Sequence, residues 1–182
     1  GAKTELEPVE YVNWCDDSEN ELIQTYKQGD IEVTCQYMSA EYSVLKQSDP
    51  DIIDEKRFND NVSEVDDLLQ FKIKFQNTTS NNFLRDQYTT EEAFNTRSMY
   101  LGFGIQTDLE LITGSDTVAC NMNHHERTYG NTPYETLLIT FPKTSQKEED
   151  MQVVFNDRVF GLGRVKFFFE KSQLEQIPTL KW

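Results

Sequence analysis

The chain reads as mainly β, an antiparallel β-sandwich with a few short helices. Three observations predict that class. Apolar and polar side chains alternate at period two in segment after segment. Helical signals are short and do not alternate regularly with the strands, as the crossovers of a parallel α/β fold would. The composition, 37% hydrophobic and 12% aromatic over 182 residues, suffices for a buried core.

The elements follow in order. Ile31, Val33, Cys35 and Tyr37 share one face of a strand. Ser39 then caps a helix over 40–47, with Glu41 in its first turn. Ser63 opens a second short helix over 64–69, again with acids at the positive end of the helix dipole. Phe71, Ile73 and Phe75 make the next strand, with Lys72 and Lys74 on its other face, and 76–82 is an exposed loop rich in Asn. Thr90 starts the best-signalled helix, which runs towards Tyr100. Leu109 and Leu111 lie on one strand, Val118 and Met122 on further ones, with the turn at 113–116 between them. Leu137, Ile139 and Phe141 form a strand ended by Pro142, and 144–150 reads as a hairpin tip. Val153 and Phe155 lead into the turn-prone Asn156-Asp157, after which Val159-Phe160 returns. Val165, Phe167 and Phe169 make the last strand, and one helical turn over 172–177 precedes Pro178. The glycines around Phe103 and Leu162 read as strand bends or close backbone approaches. No repeat and no Gly-, Ser- and Pro-rich linker divides the chain, which reads as one domain over 1–182.

Charge excludes several function classes. Asp and Glu number 32 against 17 Lys and Arg, for a net charge of −15. Residues 1–92 carry 21 acids and 8 bases, whereas 93–182 carry 11 and 9. Such acidity repels nucleic acids and anionic lipid surfaces, and no basic footprint offsets it. No apolar run approaches the ~20 residues of a membrane-spanning helix. Between Asp49 and Asp67 eight acids meet only Lys56 and Arg57. That run is either a solvated face or a cation site. Asp60, Asn61, Glu64, Asp66 and Asp67 offer the oxygen ligands Ca²⁺ prefers, without the central Gly or terminal Glu of a calcium loop.

The chemistry-bearing residues are few. Cys15, Cys35 and Cys120 match no zinc or redox spacing, and their pairing is open, with one disulfide at most. Cys35 falls at an apolar position of its strand and reads as a small core hydrophobe. Both histidines lie in one polar cluster, from which His124, His125, Glu126, Arg127 and Tyr129 are the candidate ligand-binding residues. On a strand His124 and His125 point to opposite faces, so they share a metal such as Zn²⁺ only from a loop. The plainer reading packs one histidine on the sandwich edge and leaves the other in water. No cofactor is predicted. Tyr11 and Trp14 can stack on sugars if exposed, but aromatics of this kind more often pack on a core. Glycoside hydrolysis needs two carboxyls at a set separation, and 32 acids single out no pair. No nucleophile elbow, phosphate loop or zinc-protease motif occurs.

Several segments together resemble uncharacterised lipoproteins of the Bacteroidota. They are Leu6-Glu-Pro8-Val-Glu10-Tyr11-Val-Asn-Trp14, Gly29-Asp30-Ile-Glu-Val-Thr-Cys-Gln36-Tyr37, His125-Glu126-Arg127-Thr-Tyr129-Gly130 and Phe155-Asn-Asp157-Arg-Val-Phe160-Gly161-Leu-Gly163. The resemblance implies an exported domain whose lipidated cysteine lies upstream of Gly1, and it brings no activity or catalytic residue. In that lineage Asp116-Thr117-Val118 matches a short O-glycosylation motif, at Thr117. Asn61-Val-Ser63 and Asn77-Thr-Thr79 match the N-glycosylation pattern. The leading expectation is an extracytoplasmic, lipid-anchored binding or accessory domain of the cell envelope, with an envelope protein or glycan as partner. It meets the membrane only through the anchor. The alternatives are a glycan-acting hydrolase using carboxylates and a divalent-metal-binding module.

Overall fold

Most of the period-two alternation becomes strand in the computed structural model, which describes residues 3–49, 51–128 and 132–182. The chain order is β1 (Glu5–Leu6), α1 (Pro8–Asp16), β2 (Ile23–Gln28), β3 (Ile31–Met38), α2 (Ala40–Gln47) and α3 (Glu55–Val65). Then come β4 (Leu68–Asn77), α4 (Glu91–Gly102), β5 (Leu109–Thr113), β6 (Asp116–Ala119), β7 (Met122–Glu126) and β8 (Tyr134–Pro142). The last are β9 (Met151–Asn156), β10 (Arg164–Phe169), α5 (Lys171–Leu174) and β11 (Thr179–Leu180).

Two antiparallel sheets face each other. One has the order β2-β3-β4-β8-β7 and the other β10-β9-β5-β6. In the first, register aligns Cys35, Ile73 and Leu137 across β3, β4 and β8. In the second it aligns Leu111, Val153 and Phe167 across β5, β9 and β10. These rows turn inward and are buried. Aromatic rings join them: Phe71 lies 5.4 Å from Phe169, and Phe75 lies 5.7 Å from Phe155. Lys72 and Lys74 alternate onto the outer face, as their register requires. β1 and β11 form a separate parallel pair that brings the two ends of the chain together.

Three helices pack at one end. Ser39 caps α2, its Oγ accepting from the Tyr42 N–H at 3.1 Å and lying 2.7 Å from the Tyr11 hydroxyl on α1. The Tyr42 hydroxyl donates to Asp16 at 2.6 Å. Trp182 packs on Phe58 of α3, with ring centroids 4.9 Å apart. α4 begins at its Thr90 cap and lies against β7.

Four expectations need correction. The helix near Ser63 is α3, which starts nine residues earlier because the Asp54 carboxylate accepts from the Arg57 N–H at 2.9 Å. Ser63 instead donates back to the Asn59 carbonyl inside that helix, and Leu68 and Leu69 open β4. The segment 144–150 is not a hairpin tip: it carries the chain from β8 in one sheet to β9 in the other. Val159-Phe160 is not a strand. The Asp157 carboxylate accepts the N–H groups of Val159, Phe160 and Leu162 at 2.9, 3.0 and 2.7 Å. Gly161 and Gly163 turn with φ of 79° and 70°, so the return strand waits until Arg164. Finally, Gly102 ends α4 and Gly104 begins a 3-10 turn, so neither bends a strand. α1 had no counterpart in the sequence reading, although Pro8 at its first turn is a helix-start signal.

Candidate functional site

A mixed-polarity hollow lies where α4 crosses the edge strand β7. It encloses about 680 Å³. The helix side supplies Phe94, Ser98, Met99 and Gly102, followed by Phe103, with Leu84 from the preceding loop. The sheet side supplies Asn123 and His125 from β7, Glu135 from β8, and Arg127 and Thr128 just beyond β7. Met99 is 65% exposed and Phe103 73%, so both present apolar surface to water.

The floor is a buried acid with two partners. Glu135 shares the inward register of Leu137 and Ile139 and is 1% exposed. Its Oε2 lies 2.8 Å from His125 Nε2, and its Oε1 accepts from the Thr128 hydroxyl at 3.0 Å. A carboxylate removed from water needs such partners, because an uncompensated buried charge is costly. Asn123 ties helix to strand, its amide donating to the Leu101 carbonyl at 2.9 Å. Its Oδ1 is buried without a hydrogen-bond partner.

The structure separates the histidines as their adjacency on a strand requires. Register places His125 opposite Leu137, on the inner face, and His124 opposite Leu138, on the outer face. His124 still borders the cleft because β7 is the sheet edge. Arg127 lines the opening. Glu126 is exposed and shares the outer face with His124. Tyr129 lies outside the described residues.

The acidic segment is spread out. Asp60, Asn61 and Glu64 lie on α3, and Asp66 and Asp67 follow its end. All but Asn61 are exposed. Among the described residues no group of three or more His, Cys, Asp or Glu side chains is gathered to hold a metal ion. Thr117 is exposed on β6. Tyr11, 2% exposed, belongs to the core and Trp14 packs against it, so neither forms a sugar-stacking surface.

Cys15, Cys35 and Cys120 are free and buried. Burial pushes the Cys15 thiol up to about 12, with the nearby Asp16 charge adding to the effect. Burial alone raises Cys35 well above its ordinary value. It raises Cys120 too, against hydrogen bonds with the Met122 and Thr140 backbone. Thiols held neutral in this way are poor nucleophiles.

The sequence reading missed Glu135, Asn123, Ser98, Met99 and Phe103. Glu135 left a signal: it is an acid at an inward position of the 135, 137, 139, 141 alternation. The helix residues left none, since which of them stay exposed depends on how α4 meets β7.

No family model matches the chain, and no curated protein matches it in sequence. A crystal structure of a DUF4426 family protein from Pseudomonas aeruginosa is similar at a TM-score of 0.38 and 9% identity. The similarity spans 82% of this chain and 92% of that one. The fold and the site described above rest on this chain's own residues.

Proposed function

We propose that this chain is a non-catalytic ligand-binding module whose ligand sits in the cleft between α4 and β7. One observation carries the reading: a hollow of about 680 Å³ is flanked by exposed Met99 and Phe103 beside a buried acid and histidine. That volume is in the usual range of ligand sites, and such sites combine apolar walls with a few placed polar groups. Covering two large exposed apolar side chains favours binding by removing their area from water. Glu135 is the carboxylate in this lining, and both its oxygens are engaged. The pair of carboxyls that glycoside hydrolysis uses is therefore not what lines the cleft.

The resemblance to envelope lipoproteins supports an exported, lipid-tethered setting, in which the module serves an envelope protein or glycan. A melting-temperature screen of the full chain against a small-molecule panel tests the binding role. At least one compound should stabilise the wild type and not Phe103→Ser. A panel with no shift, or a shift that Phe103→Ser retains, overturns the reading. Labelled fatty acid supplied during expression of the whole gene product tests the tether, and an unlabelled product overturns it.

A further inference from the structure

We infer that the cleft takes a small apolar carboxylate, its apolar body on Met99 and Phe103 and its carboxylate on Arg127. The inference rests on the cleft being the ligand site and adds the chemistry of what enters it. Arg127 is exposed at the opening and makes no hydrogen bond or ion pair among the described residues. Four of the other five arginines have partners. Arg85 pairs with Glu91, Arg158 with Asp108 and Arg164 with Glu110, while Arg97 donates to the Leu84 carbonyl. Arg57 is also unpaired, but it lies among the acids of α3.

The charge that faces a ligand is therefore positive, although the whole chain is strongly acidic. Glu135 is nearly inaccessible and is occupied by His125 and Thr128. Glu126 shares the outer face of β7 with His124 but, unlike it, does not line the cleft. The remaining polar groups of the lining include the Ser98 and Thr128 hydroxyls, which carry no charge. A guanidinium matches a carboxylate with two parallel hydrogen bonds, and one guanidinium suits one monoanion. An ammonium ligand meets repulsion there. A neutral one leaves Arg127 without its counter-charge.

Titration calorimetry with octanoate, octylamine and octanol on the full chain tests this, using wild type, Arg127→Gln and Phe103→Ser. Octanoate should bind wild type, and Arg127→Gln should weaken it by about tenfold while leaving the melting temperature unchanged. Phe103→Ser should weaken octanoate as well. If octylamine or octanol binds as tightly as octanoate, or Arg127→Gln has no effect, the carboxylate assignment is overturned and the cleft remains a ligand site. A short peptide with an apolar C-terminal residue that binds where octanoate does not also overturns it, in favour of a protein terminus. If no probe binds, the carboxylate assignment falls, and the separate panel screen decides whether the cleft reading falls with it.

Discussion

Glu135 is an acid in a row of core residues, and its partners make that position tolerable. His125 and Thr128 between them occupy both oxygens. Truncating His125 to Ala should cost about 3 kcal/mol, because it leaves a buried carboxylate short of a partner. Replacing both residues, as His125→Leu with Glu135→Leu, should cost less than the sum of the two single changes. Urea unfolding of the set measures this, and strictly additive losses would show that the two side chains do not act as a unit. At this scale the sequence was readable where parity decides. Adjacent histidines on a strand had to diverge, and Cys35 at an inward position had to be buried. Glu135 sits at the same parity, yet its role depends on partners that only folding supplies.

Elements were legible where local chemistry governs them and opaque where pairing does. Ser39 and Thr90 cap helices as their sequence context indicates. At α3 two capping candidates compete, and Asp54 wins because the whole segment from Glu55 can then be helical. The 144–150 segment has the polarity of a hairpin loop, but polarity does not say which sheet the next strand joins. The loop between β9 and β10 is the clearest case of one side chain shaping an element. Asp157 holds three backbone N–H groups and so places Phe160 against Phe83 at 5.1 Å. Asp157→Ala should destabilise the protein by about 2 kcal/mol, since bonds to a charged acceptor are the stronger kind. Amide exchange should quicken across 158–163 before it does in β9 or β10. Equal protection in mutant and wild type would contradict that role.

Across the whole molecule the charge imbalance and the buried core set different behaviours. The acids of the first half include those of α1 and α3, mostly exposed, while the second half supplies all four strands of the smaller sheet. The sandwich class was legible because two facing sheets impose one alternation on every inner strand. The buried ionisable groups set the alkaline limit. In the unfolded chain the Cys15 thiol ionises near its ordinary value of 9.0, whereas in the folded one it is pushed up to about 12. Above the lower value the unfolded state holds fewer protons than the folded state, so stability falls as pH rises between the two. Buried Cys35 and Tyr11 act in the same direction. The urea midpoint should therefore drop steadily through that window, and a flat midpoint would contradict it.

The packing of Trp182 on Phe58 has an optical consequence. Trp14 lies on α1 at the same helical end, and neither indole lines the cleft. Intrinsic tryptophan emission therefore reports the docking of the chain's two ends. It stays dark to events at Phe103, so a ligand entering there needs a different reporter.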